Sequence, residues 1–548
     1  MRLLIWITCL VIGTGVLRAQ EARISEGNRP ESEVAAAANP TDPNNLVIAA
    51  VNDFSPASGT SGSRISVYFS QDQGAEWTQS SFDAQLPGVT GAFTADPSLA
   101  FDANGIAYLT YLVWISTPTG IDARLYVARS TDGGVQWTTE LIESRTDALL
   151  DKPWVVSDLN PTSPRYGTVY LTYVLATGNF GNVLRVQVRR LSPGASSFSG
   201  PTPVADDNTY YYQQAPTVCV DRTGRLYVGF KASTNGGIGY YSVHSPDGGQ
   251  TFSDPSRIVY FNFYLNDFNI IPTLDRVGLD RLYPCPQLAV DHTDGPYSGR
   301  VYASWTNKEE GVIAYGLDAL LSYSDNQGAS WSTPRRIHSD EVDRRNQYYA
   351  TLTVADNGHL LSSWYDRRED SNNRITHYYY ARSTDGGTTF TDEQPLTSQP
   401  SDFGDIHLKN DGFGIGEYTD LVTVGNRAFA FWADGRTNNG DVRLYNARID
   451  FGPTSSRVGP DRYLTHVDWW VTNPVRETAT VGLTLDRPLS FKWEWYTLSG
   501  RQLAVRPVTV LPAGTHQLSL PLPAAAPGPL VLRLRTAAGS QGKLVWVE

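Results

Sequence analysis

Two strings in the second half of the chain gather residues able to do chemistry: WYDRRED, running from Trp364 to Asp370, and FWADGR, running from Phe431 to Arg436. Each brings an indole, a carboxylate and a guanidinium close together in sequence. With Asp96, Glu417 and Tyr418 they supply a candidate catalytic set: Asp96, Asp366, Arg368, Glu417, Tyr418 and Arg436. Carboxylates can exchange protons with a glycosidic oxygen, arginines can clamp an acidic group, and aromatic rings can stack on the apolar face of a sugar. The same residues have a structural use. A repeated Asp–Arg pair ties neighbouring β-units at a rim, and for Asp366, Arg368, Asp434 and Arg436 the sequence favours that tie. Trp364, Tyr365 and Trp432 serve packing as readily as stacking. Glu417 and Tyr418 are sequence neighbours, so on a strand they point to opposite faces and at most one of them faces a central channel. No His-Glu-x-x-His, zinc-spaced cysteine pair or Gly-x-Ser-x-Gly occurs, so no cofactor and no metal site is expected.

The elements that must position these residues are β-strands. The 548 residues include 48 Gly, 33 Pro, 14 Trp, 30 Tyr and 19 Phe, a turn-rich and aromatic-rich composition. Charged residues make up 18% and the net charge is −12, which argues against a nucleic-acid partner or a polybasic membrane surface. One motif, Ser-x-Asp-x-Gly-x-x-aromatic, recurs at intervals of about 60 residues. The clear copies are Ser70–Trp77, Ser130–Trp137, Ser245–Phe252 and Ser383–Phe390. Ser324–Trp331 has Asn326 at the Asp position, and Leu191–Phe198 is a worn copy. The carboxylate can accept N–H groups of its own turn and the glycine supplies a positive φ, so the motif is a folding device.

A second repeat runs alongside: NNLVIAAVND, GIAYLTYLVW, GTVYLTYV, GRLYVGFKAS, GRVYASWTN, GHLLSSWYD and NRAFAFWAD. Each copy lies between two further strands, and a fourth follows the aromatic of the Asp motif. Four-stranded units at this spacing predict an all-β chain folded as a β-propeller. Seven blades are expected, with six as the alternative. The last unit lacks a fourth strand, and residues near Ala22–Ser25 are expected to complete it. Strand alternation then puts first-strand starts and second-strand ends on the face opposite the Asp motifs. The starts offer Asp96, Asp151, Lys152, Trp154, Gln214, Glu417 and Tyr418. The ends include Asp53, Trp114, Lys231, Trp305, Arg367, Asp434 and the two strings above.

The Asp motifs resemble the Asp boxes, or bacterial neuraminidase repeats, of the sialidase-like propeller superfamily. The resemblance spans about residues 21–451. It implies the propeller fold and a carbohydrate or glycoconjugate partner. It also implies an exo-acting glycoside hydrolase or a polysaccharide lyase as the enzyme reading, and a non-catalytic surface propeller for protein binding or adhesion as the alternative. A sialidase of that superfamily would use three arginines, a Tyr–Glu pair and an Asp. Arg367 or Arg368, Arg436, Tyr418 or Tyr365, and Asp96 or Asp53 are the matching positions. The family's Arg-Ile-Pro signature is absent, since Arg23-Ile24 and Arg64-Ile65 are each followed by Ser. That speaks against a true sialidase.

The two ends of the chain read differently. Residues 1–19 have Arg2, an apolar stretch and Leu17-Arg18-Ala19, the pattern of a secretory signal peptide. Residues 20–451 are the propeller, 452–466 a linker, and 467–548 a small antiparallel β-sandwich. The sandwich resembles the C-terminal sorting domain of the type IX secretion system in Asn473-Pro474, Leu498-Ser499-Gly500-Arg501, Gly514 and the final strand Lys543–Glu548. It carries a net charge of +3 against −17 for residues 20–466. That resemblance implies the secretion machinery as a partner and a secreted or outer-surface location, with no transmembrane segment in the mature chain. Cys219 and Cys285 are expected as buried thiols, their four-residue offset between repeats making a disulfide doubtful.

Overall fold

The structure is a computed structural model. It describes the chain apart from residues 1–19, 26–28, 53–62, 84–91, 119, 179–182, 262–284, 308–315, 342–344, 405, 407–413, 438–439, 452–466, 477, 486–487, 498–501, 507–508, 524–527, 537–538 and 548. The signal peptide, the linker, Asp53 and the Leu498–Arg501 turn lie outside the described residues. Two compact units emerge, residues 1–452 and 453–548. Among the described residues no helix is long and apolar enough to cross a membrane.

The first unit is a seven-bladed propeller. Six blades follow one another along the chain, their first strands being Glu31–Ala38, Ala92–Phe101, Leu149–Ser157, Tyr211–Val220, Gln287–Val290 and Gln347–Val354. The seventh has strands Asp420–Val424, Arg427–Asp434 and Arg443–Asp450. Its fourth strand is Gln20–Arg23, with Gln20 opposite Arg448 and Arg23 opposite Tyr445. The first strands of successive blades touch in a closed cycle, the seventh meeting the first, which excludes six blades. Second strands such as Val301–Asn307 are buried along their whole length, as expected of the strand with sheet on both edges and a blade on each face.

Each Asp box is a clip onto the preceding blade. Asp132 accepts the N–H groups of Val135 and Gln136 at 3.1 and 3.0 Å, and Ser130 Oγ donates to it at 2.8 Å. Against the desolvation that burial imposes, bonds from Thr251, Ser245 and Gln250 hold Asp247 down at about 2. The turn thus built delivers Gly134 against Val47 and Phe69 of blade one, and Asn45 of that blade donates to Gly133 O at 2.9 Å. Box after box repeats the relation: Gly249 lies on Val188 of blade three, Gly328 near Ser242 of blade four, and Gly387 on Leu321 of blade five. The box of blade one packs on blade seven, with Trp77 edge-on to Phe431 at 5.8 Å. In the worn copy Pro193 replaces the Asp, and a side chain added at Gly194 would meet nothing within 4 Å.

The second unit has a three-stranded sheet, Val467–Val471, Thr478–Leu485 and Gly514–Pro521, and a second sheet built on Gln502–Val505, Leu489–Thr497, Gly528–Thr536 and Gly539–Val547. Alternate residues of both sheets meet in one core containing Trp469, Val481, Leu483, Phe491, Trp493, Trp495 and Leu532. It is the β-sandwich the alternating pattern predicts.

Candidate functional site

Side chains from six of the seven blades gather around Lys152: Glu33, Asp96, Ala215, Cys285 and Tyr418 join it. In blades one, two, three, four and six the first strand carries one extra residue, a bulge between Ser32 and Ala35, Ala95 and Ser98, Asp151 and Trp154, Gln214 and Thr217, and Tyr348 and Thr351. The first residue of each bulge has a positive φ: Glu33 +55°, Asp96 +53°, Lys152 +47°, Ala215 +51° and Tyr349 +54°. Cys285 and Tyr418 occupy the corresponding places just before the first strands of blades five and seven. All seven are buried. Asp96 and Lys152 precede proline, which already narrows their backbone, so holding each in the left-handed region costs ~1–3 kcal/mol. A bulge re-aims its side chain, and in blades one to four it aims one residue toward the centre, while Tyr349 of blade six packs on Tyr348 and Tyr365.

Lys152 is the hub. Its Nζ donates to Asp96 Oδ1 at 2.9 Å, pairs with Glu417 Oε2, and lies 5.8 Å from the centre of the Tyr418 ring. Burial disfavours the ammonium, yet Asp96, Glu417 and Glu33 hold its pKa well above the usual lysine value. Tyr418 meets Trp154 edge-on at 5.6 Å, and its hydroxyl donates to Pro97 O at 3.1 Å. Glu417 and Tyr418 precede their strand, so pleat alternation does not separate them. Both reach Lys152, which corrects the expectation that at most one of them faces the centre.

Beside this group stands a third carboxyl, Asp151. Gln214 Nε2 donates to Asp151 Oδ2 at 2.7 Å. Desolvation, then the charge of Asp96, push Asp151 up to about 7, while Lys152 and other bonds hold Asp96 below the usual carboxylate range against its own desolvation. Two neighbouring carboxyls with pKa values pushed apart can hold and pass a proton. Lys231, opposite Gln214, is driven down to about 8 by burial, and the same desolvation raises the Cys285 thiol to about 12. A cavity lined by Asp96, Lys152, Trp154, Thr217, Cys285 and Tyr418 has room for about one water molecule.

The structure brings Asp96, Glu417 and Tyr418 together and puts Asp366, Arg368 and Arg436 in two other clusters. In blade six, Trp364 Nε1 and Arg368 Nη2 both donate to Asp366 Oδ2, at 2.7 and 2.6 Å. Arg368 also pairs with Glu393 of the outer strand at 2.5 Å and lies 4.5 Å from the Tyr379 ring centre. Blade seven repeats the set: Trp432 and Arg436 on Asp434, each at 2.8 Å, Arg436 paired with Glu21, and its guanidinium 4.0 Å from the Tyr445 ring centre. The Asp–Arg pairs bind second strand to outer strand within one blade, whereas the sequence suggested ties between blades. Arg367 is turned inward, bonded to Thr376 Oγ1 at 3.0 Å.

Sequence reasoning found Asp151, Lys152, Trp154, Gln214 and Lys231 as mouth-face residues but missed Glu33 and Cys285. The signal was present. Glu33, Asp96, Lys152, Ala215 and Cys285 are each followed six residues later by the Asn or Asp that opens the next turn. Cys219 and Cys285 are free, the former packed with Tyr227 and Tyr240, the latter with Ala215 and Tyr418.

A scan against protein-family models finds no match, and a search of curated proteins finds none either. Solved structures with a similar chain trace include a Hadza microbial sialidase, at 13% identity and a TM-score of 0.42, covering 71% of this chain and 73% of that one. A Penicillium chrysogenum α-L-arabinanase complexed with arabinobiose has 12% identity and a TM-score of 0.43, covering 80% and 99%. A Trypanosoma rangeli sialidase has 10% identity and a TM-score of 0.39, covering 94% and 83%. The fold rests on the closed ring of seven sheets itself, and these similarities assign no activity.

Proposed function

We propose that this chain is an exported Asp-box propeller that engages carbohydrate at the face opposite the boxes, with glycoside hydrolysis as the chemistry of its axial carboxylates. The observation that carries the reading is the convergence of Asp96, Asp151, Glu417 and Tyr418 around Lys152, where first-strand bulges bend side chains inward. Asp151 would hold the proton for a leaving oxygen, and Glu417 and Tyr418 would face the sugar carbon, as the resemblance to sialidase-like propellers implies. Sugar-bearing relatives in that superfamily are support of a general kind, because a fold hosts many functions. A panel of chromogenic glycosides and a glycan array, applied to residues 20–548, tests it. Turnover that falls at least about a hundredfold in E417Q and D96N, with melting unchanged, supports the reading. Turnover equal in the variants and the parent overturns it.

One observation favours the second reading, a non-catalytic surface propeller. Lys152 occupies both Asp96 and Glu417, and the cavity beside them holds about one water rather than a sugar ring. Absence of turnover and of glycan retention, with a captured protein partner, selects that reading. The tail, residues 467–548, is proposed as the signal read by a type IX secretion machinery, placing the protein outside the cell or on its outer surface. Support comes from the sequence elements above and from its folding as a compact unit with its own core.

A further inference from the structure

We propose that the outward face of the three-stranded sheet in the second unit is a stacking site for a neutral polysaccharide, centred on Trp470. On the strand Val467–Val471, Trp469 points into the sandwich core, and its neighbour Trp470 points out with 53% of its surface exposed. A single exposed apolar side chain is ordinary on a protein surface, so exposure alone assigns nothing here; what sets Trp470 apart is how its ring is seated.

The indole is held in place. Trp470 pairs across the ladder with Gly482, and Gly482 pairs with Gln517 on the third strand. A Cβ added at Gly482 would fall 2.6 Å from Trp470 Cζ2 and closer still to Cε2 and Nε1. Three contiguous ring atoms at nearly equal distance put the glycine beneath the ring plane and not at its edge. The indole therefore lies flat across the neighbouring strand, one face on the backbone and the other open. Glycine is the residue that permits this approach, in a strand where it otherwise weakens the sheet.

The surroundings choose the ligand. The outward positions next to the ring on the two neighbouring strands are Thr480, Thr484, Thr515, Gln517 and Ser519. All are uncharged, all bear hydrogen-bonding groups, and Thr484, Thr515, Gln517 and Ser519 are exposed. A pyranose offers an axial C–H face to an indole and equatorial hydroxyls to amides and hydroxyls at its sides. None of those five positions carries a charge to meet a carboxylate, and the one charged residue of the strand that bears Trp470, Asp468, is itself an acid, so the fitting ligand is a neutral glycan. A protein partner would be expected to find a more apolar patch with a charged rim. A cross-strand Trp–Gly pair also supports a sheet by itself, and the experiment has to separate that use from binding.

The site is independent of the propeller axis, and its failure is distinguishable from failure of the reading above. Residues 20–548 and the variants W470A, W470Y, Q517A and W546A are run through affinity gels containing cellulose derivative, xylan, mannan or polygalacturonate, with a melting curve for each. The parent is expected to be retarded by at least one neutral polymer and not by polygalacturonate. Retardation constants should weaken about tenfold or more in W470A, less in W470Y and Q517A, and stay at the parental value in W546A, which removes an equally exposed indole from the other sheet. W470Y, which keeps a ring on Gly482, guards against a loss caused by unfolding. Equal retardation of W470A and the parent, no retardation by any neutral polymer, or retardation by polygalacturonate alone overturns the proposal. So does a W470A protein that binds glycan normally but fails to leave the cell, which would assign the face to the export machinery.

Discussion

Lys152 of the third blade and Glu417 of the seventh form an ion pair across the propeller axis, joining blades that are not neighbours in the ring. The pair is shared with Asp96 of the second blade, so a single ammonium serves two buried carboxylates. Replacing Lys152 by Met would leave those carboxylates facing each other with no counter-charge. The expected cost is ~3–5 kcal/mol, read as a fall in the urea midpoint. The double change K152M/E417Q should recover part of it, since it leaves one carboxylate, Asp96, without a counter-charge instead of two. A K152M protein as stable as the parent would show that the cluster is hydrated and contributes little.

Acid–base behaviour should centre on Asp151. Its folded pKa of about 7 stands above the ordinary value of about 3.9. Between those values the unfolded chain releases the proton and the folded chain keeps it, so stability falls as pH rises through that window. Asp420, raised to about 6 by burial despite the N–H groups of Ala36 and Leu421, acts in the same direction. Asp96, held low, acts oppositely, its contribution being lost only as pH drops below the ordinary carboxylate range. Asp151→Asn should therefore flatten the melting-temperature profile between pH 5 and 7, melt higher than the parent at about pH 8, and converge with it toward about pH 4. A parallel pair of profiles would remove Asp151 as the titrating group.

Arg368 and Arg436 should behave as braces. Arg368→Ala or Arg436→Ala leaves Asp366 or Asp434, both buried, with neutral donors and no cation: an indole and a backbone N–H for each, with Gln347 Nε2 on Asp366 and Ser401 Oγ on Asp434. Each change should cost ~2–4 kcal/mol in unfolding measurements. With substrate in hand, each should leave the kcat of the folded fraction near the parental value. A collapse of kcat with unchanged melting would move these arginines into the catalytic machinery.

Removal of residues 20–30 should loosen blade seven. The deletion takes away the strand opposite Tyr445–Arg448, the Glu21–Arg436 pair and the buried Ile24. A drop in melting temperature of at least about 3 °C is expected, with blade-seven amides losing hydrogen-exchange protection first. Unchanged melting would mean that the pairing contributes nothing to closure.

The tail makes a prediction about transport. Residues 467–548, fused through a linker behind a signal peptide and a fluorescent reporter, should carry that reporter to the surface or medium of a type IX-competent host. The chain cut at about residue 460 should remain as a folded propeller in the periplasm. Export of the truncated chain, or a fusion retained in the periplasm, would leave the tail without a sorting role.

The ring was legible because its markers are local. A Ser, an Asp, a Gly and an aromatic at fixed offsets fold their own turn, and repetition converts six such turns into blades. Completion of the last blade by the N-terminus was legible for the same reason, as a unit one strand short. The axial cluster was only partly so. Asp96 and Lys152 stood out by chemistry, but Glu33 stands in an alanine-rich strand with no motif beside it, and Cys285 reads as a small apolar residue. What unites them is a bulge, a property of pairing between strands and not of residue type. Glu417 and Tyr418 were misplaced because alternation was applied to residues that lie just outside their strand. The rim arginines were ambiguous in principle, since the same Trp-x-Asp-x-Arg spacing suits a brace and a binding clamp, and only the outer-strand glutamates decide between partners.

The sharing of blade seven between the two ends of the chain also sets a schedule. Arg443–Asp450 is the last propeller strand to be made, and Gln20–Arg23 waits for it from the start. Until then six blades form an open arc, with the box of blade one lacking the neighbour that Trp77 will grip. A chain threaded through a membrane from its N-terminus thus cannot shut its ring ahead of time, and the act of closing reports that the whole propeller has arrived.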